Sequence, residues 1–414
     1  MKRFKQGRPA PVLAVALALL CGAAPGPWSA PDALAQSRRV PAQEPQKKNK
    51  RPDPSQTPRP GEQPPDVEPA PPADAIEDAE PVKVSTALVN LEAVVIHKKT
   101  KQVVTGLKKE NFAVFEDGVQ QQVSNFGTPD APITVAMVLE YSNLMDQRLR
   151  ADYNEPGLFE VLRPMAMFLS QFIKPPADYV SVIAYDMRVT PITDFTNDPA
   201  RINQTINLLL RNRPVSSEAN LFDALKLTLV GGKADSVVLE NAEARTSEYS
   251  GLADLSGRRK AVFLVSTGID TFSKVNWDQA RKIVQNAGVP VYIIGTGNLF
   301  LKKYDHLMSA EDGLGGATTP GRLSLYQAQN QLSTIAKDSG GAYFPITFPA
   351  ELNSALNTIN TLMRSQYSLA YSPTSARDGK RHKLQVRVDV DGDGQYDDKD
   401  YTVKSRDSYN APKG

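Results

Sequence analysis

The segment from Ile133 to Glu140, ITVAMVLE, constrains the fold more than any other part of the chain. It is apolar apart from Thr134 until it reaches Glu140. It is too short to span a membrane and too continuous for a strand with one solvated face. The pattern therefore predicts a strand buried on both faces at the centre of a parallel sheet. Its polar continuation, through Ser142 and Asn143 to Asp146, then lies where open α/β sheets place their ligand sites.

Apolar strands and amphipathic helices alternate after this segment. Buried strands are predicted at 179–185, 261–268, 291–294 and 342–346, with an antiparallel edge strand at 188–195. The spacing of apolar residues predicts helices at 158–173, 199–210, 220–229, 276–287, 324–337 and 350–363. The polar stretch 231–259 is interpreted as a surface insertion or an extension of the preceding helix, and 313–321 as a glycine-rich loop. This alternation predicts an α/β fold over residues 131–365, with a doubly wound, mostly parallel sheet of the Rossmann type.

Residues 1–35 have the layout of a secretory signal peptide. Four basic residues between Lys2 and Arg8 precede an apolar run, and Ala33-Leu34-Ala35 offers a small-x-small cleavage site. We therefore expect an exported protein, periplasmic or extracellular, with no transmembrane segment after signal removal. The only cysteine, Cys21, lies within the signal, so the mature protein would contain no disulfide or thiolate site. The net charge of +2 points to no class of partner, and no nucleic-acid partner is expected.

Residues 36–81 form a segment rich in proline and almost without large apolar side chains. Such a composition cannot build a core, so it predicts a disordered linker. The first half of the segment is basic and the second half is acidic. Two interpretations stay open: a plain solvated linker, and a spacer that also touches an anionic envelope surface.

Residues 82–128 and 366–414 both show the period of two that is typical of β-strands. Leu91, Ala93 and Val95 alternate with other residues in the first segment, and Leu384 and Val386 begin a similar alternation in the second. Each segment alone is too small to bury a face. We therefore expect an N-terminal β module on which the C-terminal β segment packs, forming one small β-sandwich-like unit beside the α/β domain.

An apolar strand that runs into an acid-x-Ser turn, followed by alternating helices and strands, resembles a von Willebrand factor A domain. More narrowly, the chain from Val82 to Tyr409 resembles the bacterial von Willebrand factor A-related secreted proteins. The segment TGLKKENFAVFEDGVQQQVSNF, from Thr105 to Phe126, is similar to that family's lead-in to the A domain. The resemblance implies a von Willebrand factor A-like fold and a role in binding another protein.

The resemblance also implies a metal-ion-dependent adhesion site, in a degenerate form. The family's first loop is D-x-S-x-S; Glu140 and Ser142 keep an acid and a hydroxyl, but Leu144 replaces the second serine. The family's second-loop Thr and third-loop Asp correspond by position to Ala219 and Thr267. If an ion binds, we expect Glu140, Ser142 and Asp270 to hold it; the alternative is a fold that persists without the ion, and Mg²⁺ is not expected here. Asp223 is interpreted as a helix N-terminal charge.

The C-terminal segment contains a second candidate metal site, with the spacing of an EF-hand-like or dockerin-like calcium loop. Its candidate ligands are Asp389, Asp391, Asp393, Asp397 and Asp400, and Gly394 permits the tight bend. The flanks are predicted to be strands, and Asp400 replaces the usual glutamate. An ordinary acidic hairpin turn is the alternative to Ca²⁺ binding.

No catalytic motif is present: the three histidines lack H-E-x-x-H spacing, and neither a G-x-S-x-G elbow nor a phosphate-binding loop occurs. We therefore expect no enzyme and no certain cofactor. The leading hypothesis is an exported protein-binding protein whose ligand-binding rim contains Glu140, Ser142, Asn143, Ser217, Asn220 and Thr267. The alternative is a structural envelope spacer whose C-terminal loop is stiffened by Ca²⁺.

Overall fold

A computed structural model describes residues 88–142, 165–166, 168–169, 172–211, 216, 218–234, 247–255, 258–305, 308, 321–373 and 378–413. The predicted signal peptide, the predicted linker, and the rim candidates Asn143 and Ser217 lie outside these residues. None of the helices in the described ranges combines the length and the hydropathy needed to cross a bilayer.

The structure contains strands and helices with the following bounds. The strands are β1 Val89–His97, β2 Phe112–Glu116, β3 Val119–Gln121, β4 Val123–Gly127, β5 Ile133–Glu140, β6 Tyr179–Tyr185, β7 Val189–Thr196, β8 Gly231–Ala234, β9 Ser247–Ser250, β10 Arg259–Ser266, β11 Val291–Gly295, β12 Ala342–Pro345, β13 Tyr367–Tyr371, β14 Arg381–Val388, β15 Tyr401–Lys404 and β16 Ser408–Asn410. The helices are α1 Pro199–Arg211, α2 Leu221–Val230, α3 Trp277–Ala287, α4 Gly297–Tyr304, α5 Arg322–Ser339 and α6 Glu351–Arg364.

A six-stranded sheet organises the α/β part of the chain, in the order β12-β11-β10-β5-β6-β7. Five neighbouring strands run parallel, and β7 is an antiparallel edge paired with β6. The prediction of a mostly parallel α/β sheet is confirmed. Because the parallel strands end together, the loops that follow β5, β6, β10, β11 and β12 share one edge of the sheet.

The central strand β5 is buried along its whole length. Val135, Met137 and Leu139 belong to the hydrophobic cluster on one face of the sheet, and Ala136 and Val138 to the cluster on the other. Successive side chains of a strand point to opposite faces, so an uninterrupted apolar run is what a strand covered on both faces requires.

Two segments contain elements that the sequence analysis did not predict. Of the two interpretations of the stretch after α2, the helix extension is wrong, because Val230 ends the helix and an inserted hairpin of β8 and β9 follows. Gly231 has a φ of +80°, and a Cβ there would lie 2.5 Å from the backbone nitrogen of Gly251. Only glycine, which has no Cβ and tolerates a positive φ, fits this close approach where the chain passes from α2 into β8. The helix α4, directly after β11, was not predicted; Phe300 and Leu301 bury its apolar side against Leu325.

The remaining strands form two four-stranded sheets, β15-β1-β13-β4 and β16-β14-β2-β3. In both sheets, strands from before the α/β part pair with strands from after it: β1 with β13, and β2 with β14. Leu91, Val114, Tyr367 and Leu384 come from both segments and lie in one hydrophobic cluster. We call these two sheets the flanking β domain.

A buried polar seam joins the flanking β domain to the start of β10. The Arg259 guanidinium, 2% exposed, donates to the carbonyl oxygens of Ala131, Met363 and Gln366. Glu92 of β1 is buried as well; its Oε1 accepts a 2.9 Å hydrogen bond from Ser368 Oγ, and its Oε2 lacks a hydrogen-bond partner among the described residues. Burial raises the pKa of Glu92 from 4.5 to about 8, although Ser368 and the positive charge of Arg259 oppose this.

Candidate functional site

Glu140, the last residue of β5, lies at the edge of the sheet where the parallel strands end. Its side chain is buried, and its carboxylate faces the end of the neighbouring strand β10. Thr267 donates to Glu140 Oε2 twice, from its backbone N–H at 2.7 Å and from its hydroxyl at 2.9 Å. Ser266 Oγ donates to the same oxygen at 3.0 Å, and Ser142 Oγ donates to Oε1 at 3.1 Å. The sequence candidates Glu140, Ser142 and Thr267 are therefore brought together.

The network around Glu140 extends to β6. The hydroxyl of Tyr185 donates to Ser266 Oγ at 2.8 Å and lies 3.5 Å from Glu140 Oε2. Burial raises the pKa of Glu140, while the hydrogen bonds from Thr267, Ser266 and Ser142 oppose this rise. The carboxyl end of the sheet is thus held by hydrogen bonds between the ends of three adjacent strands.

The residues at this edge do not fit Mg²⁺. Octahedral oxygen coordination needs carboxylate and hydroxyl lone pairs that face an open position. Both oxygens of Glu140 already accept hydrogen bonds from protein donors, and the Thr267 hydroxyl is directed at Glu140. Ala219, which is fully buried, offers no ligand atom at the second-loop position. Hydroxyl donors occupy the lone pairs that an ion would need.

Asp270, the third metal candidate, is engaged at the start of α2. Its Oδ1 accepts a 2.5 Å hydrogen bond from Ser273 Oγ and a 3.2 Å bond from the backbone N–H of Phe222. Burial raises the pKa of Asp270, against the effect of these hydrogen bonds. Asp223, in the first turn of α2, accepts from the backbone N–H groups of Lys274 and Val275. Through these hydrogen bonds, Asp270 and Asp223 hold the loop after β10 next to α2.

Asn220 lies just before α2 and links two loops of the rim. Its Nδ2 donates to the carbonyl of Met187 at 2.7 Å, and its backbone N–H donates to the carbonyl of Asp186. Its buried Oδ1 has no hydrogen-bond partner among the described residues. On the other side, the backbone N–H of Ala219 donates to Thr271 Oγ1 at 2.9 Å. The loops that follow β6 and β10 and the loop that precedes α2 therefore form one connected surface, which we call the rim.

The rim carries exposed apolar side chains that sequence reasoning missed. Among the described residues, eight large hydrophobic side chains are exposed, and two of them lie in loops of the rim: Met187 after β6 and Phe272 after β10. Leu323 and Tyr326 at the start of α5, and Phe348 after β12, lie outside the rim as defined here. Phe272 is 58% exposed. A large aromatic residue inside the otherwise polar segment DTFSK was the available signal.

The mostly parallel sheet with one antiparallel edge, and the meeting of the Glu140, Asn220 and Thr267 loops, agree with what the resemblance to a von Willebrand factor A domain implied. We refer to the α/β part of the chain below as the A-like domain, after this resemblance. Two of its departures from the family pattern lie at the ends of β5 and β10, where Glu140 and Thr267 bond to each other.

No protein-family model matches the sequence, and no curated protein is significantly similar to it. Among solved structures, an aerotolerance-related membrane protein from Bacteroides fragilis is 16% identical over 56% of this chain and 98% of its own, with a TM-score of 0.34. The vWF domain of the type V pili tip protein Mfa5 from Porphyromonas gingivalis is 16% identical over 56% of this chain and 94% of its own, with a TM-score of 0.35. Proximal thread matrix protein 1 from the mussel byssus is 14% identical over 63% of this chain, with a TM-score of 0.36, and the chain spans 51% of that protein. At these identities and scores the likeness transfers no activity and no partner.

The acidic loop of the C-terminal segment lies between β14 and β15, in the flanking β domain. Three of its five candidate ligands, Asp389, Asp391 and Asp397, offer oxygens that all lie within 4.8 Å of one another. Asp393 is not in this group; its Oδ1 accepts from the backbone N–H of Gln395 at 2.8 Å. Asp400 is not in it either, and pairs with Lys99 at 3.8 Å. The loop therefore brings together fewer carboxylates than the sequence spacing predicts.

Proposed function

We propose that this chain is an exported, non-catalytic protein-binding protein that contacts its partner through the rim of the A-like domain without a metal ion. The observation that carries the proposal is the exposure of two large apolar side chains, Met187 and Phe272, in adjoining loops of the rim. Exposed apolar patches rimmed by polar groups mark protein interaction sites, and aromatic residues dominate the binding free energy of such sites. The signal-like layout of residues 1–35 supports export.

The hydrogen bonds below the rim support binding without an ion. In a metal-dependent adhesion site, the ion fixes the loops and offers a position to an acidic group of the partner. Here the Glu140 carboxylate, held by Thr267, Ser266 and Ser142, links the loop ends directly. The site is therefore a degenerate adhesion site in which protein donors replace the metal, and the contact surface is already ordered before a partner arrives.

A photo-crosslinking experiment tests this proposal. We expect a photoreactive phenylalanine analogue at position 272 to crosslink a defined partner in cells that carry the gene, and the same analogue at the equally exposed Val119 of β3 to give no such product. Phe272→Ser should lower capture of that partner tenfold or more, since hot-spot aromatics contribute about 2 kcal/mol or more. Capture should be the same in EDTA and in Mg²⁺.

Two results would reject the proposal. One is capture that disappears in EDTA, because chelation leaves both the apolar side chains and the hydrogen bonds of Glu140 in place. The other is an equal loss of capture in Phe272→Ser and in the matched control Val119→Ser, because a general loss of exposed apolar area would then explain the effect.

A structural spacer stiffened by Ca²⁺ is the second candidate function, favoured by the convergence of Asp389, Asp391 and Asp397. The backbone N–H groups of Gly392 and Gly394 each donate to one oxygen of Asp389, which orients the carboxylate without filling both lone-pair positions of either oxygen, in contrast to Glu140. Oxygen-only coordination of this kind suits Ca²⁺, and extracellular sites are weak, with dissociation constants of about 10⁻⁴ to 10⁻³ M.

Thermal unfolding separates this candidate from an ordinary acidic turn. If Ca²⁺ binds, 10 mM Ca²⁺ should raise the free energy of unfolding by about 1.4 to 2.7 kcal/mol, because only the folded loop assembles the ligands. Asp397→Asn should remove the response. The matched control Asp400→Asn, outside the three-residue group, should keep it. A melting temperature that is the same in Ca²⁺ and in EDTA contradicts the spacer candidate and leaves the rim proposal untouched.

A further inference from the structure

Three carboxylates converge on a buried histidine in the flanking β domain, far along the chain from the rim. His382 Nδ1 lies 2.8 Å from Asp117 Oδ2 and 3.4 Å from Glu116 Oε1, and Nε2 lies 3.2 Å from Asp378 Oδ1. The side chains of His382 and Glu116 are 9% and 3% exposed, whereas that of Asp117 is 52% exposed. The cluster therefore has a buried side and a side that solvent reaches.

We propose that Glu116, Asp117 and His382 bind a divalent transition-metal ion, for which Zn²⁺ is the best fit. The ligand atoms are Glu116 Oε1, Asp117 Oδ2 and His382 Nδ1, which lie within 4.8 Å of one another. One imidazole and two carboxylates are a ligand set that Zn²⁺ accepts, with water in the fourth position. The proposal is independent of the rim and of the function proposed for it.

The two separations that involve His382 Nδ1 fit a tetrahedral ion after a small movement. With bonds of 2.0 to 2.1 Å, the ligand atoms of a tetrahedral Zn²⁺ site lie about 3.3 Å apart. The separation between Nδ1 and Glu116 Oε1 already has nearly this value, at 3.4 Å. Asp117 Oδ2 must move away from Nδ1 by about 0.5 Å to reach the same spacing. Asp117 is the exposed member and lies in the turn between β2 and β3, so it is the ligand that can move.

Each proposed ligand is oriented by a second group, as in established metal sites. In the metal-bound form, Nε2–H of His382 would donate to Asp378, 3.2 Å away, and the Nδ1 lone pair would face the ion; carboxylates orient metal-bound histidines in this way. The hydroxyl of Tyr371 donates to Glu116 Oε2 at 2.8 Å, and that of Tyr409 donates to Oε1 at 3.0 Å, so the ion would share Oε1 with this donor. The backbone N–H of Lys383 donates to Asp117 Oδ1 at 2.8 Å, leaving Oδ2 for the ion.

A proton on His382 Nδ1 would compete with the metal ion for this cluster. Burial acts to lower the pKa of His382, but its hydrogen bonds to Asp117 and Asp378 raise it overall. A doubly protonated ring would donate to both of these carboxylates, with Glu116 beside it, and would need no metal. Zn²⁺ binding requires the deprotonated Nδ1, so any proton there is released when the ion binds. The two occupants therefore differ in the protonation of one ring nitrogen.

Calorimetric titration of the metal-free full-length chain with Zn²⁺, together with ¹⁵N spectra of its histidines, tests the proposal. We expect one strong site, and loss of the Nδ1 proton signal of His382 on saturation. Asp117→Asn should weaken Zn²⁺ binding at least tenfold and still fold, because asparagine keeps an acceptor for Lys383 and the position is half exposed. Asp378→Asn, which changes only a positioning residue, should weaken binding about tenfold while keeping the stoichiometry.

The matched control is Asp391→Asn, in the other acidic cluster, and it should bind Zn²⁺ as the unaltered chain does. Equal Zn²⁺ affinity in Asp117→Asn and the unaltered chain would overturn the proposal. So would a His382 ring that keeps both nitrogens protonated in saturating Zn²⁺, since that result assigns the cluster to a proton.

Discussion

Glu92→Gln is expected to remove a loss of stability that the unaltered chain undergoes between about pH 5 and pH 8. Burial raises the pKa of Glu92 from 4.5 to about 8, so the folded state holds a proton that the unfolded state has released. The stabilisation is complete below pH 4.5 and is lost as the pH rises to about 8. This difference in pKa between the unfolded and the folded state corresponds to about 4 to 5 kcal/mol of unfolding free energy. Glutamine stays neutral and keeps an acceptor for Ser368, so over the same range Glu92→Gln should lose about 4 to 5 kcal/mol less of its unfolding free energy than the unaltered chain does.

Urea unfolding at half-unit pH steps checks this expectation. The exposed Glu110→Gln serves as the control, and it should follow the pH profile of the unaltered chain. If Glu92→Gln and the unaltered chain lose stability in parallel across the range, Glu92 is ionised in the folded protein and our account of the seam is wrong.

Arg259→Met is expected to cost about 3 to 5 kcal/mol of unfolding free energy, because it leaves the buried carbonyls of Ala131, Met363 and Gln366 without this donor. Methionine fills much of the same volume, so the loss reports the hydrogen bonds more than a cavity. The midpoint of urea unfolding measures the effect, and the exposed Arg188→Met is the matched control. A cost similar to that of the control would show that the three carbonyls find other donors.

The central sheet was accessible from sequence because each of its strands carries its own signal. The run from Ile133 to Leu139 could only be a strand covered on both faces, and strand β11 and helix α3 are bounded by Gly288 and Pro290. The hairpin of β8 and β9 was missed because its reason is a contact between Gly231 and Gly251, which are distant in sequence and close in space. Local patterns do not contain that information.

The rim was predicted in position but only partly in chemistry. The sequence indicated that Glu140 and Thr267 stand where the family has metal ligands, and the structure shows that they bond to each other. That pairing depends on the register between β5 and β10, which no single segment specifies. The cluster around His382 was missed for a similar reason, since Asp117 and His382 are 265 residues apart.

The pairing of β1 with β13 also determines when the protein can finish folding. Glu92 and Ser368, which face each other across these strands, are separated by 276 residues. Loop closure over such a length is slow unless the intervening chain has already folded and brought its ends together. We therefore expect the A-like domain to fold first. Its folding would bring β13 close to β1, so that the two strands can pair. Until then the apolar side of β1 is uncovered, and newly synthesised chains are most prone to aggregate in that interval.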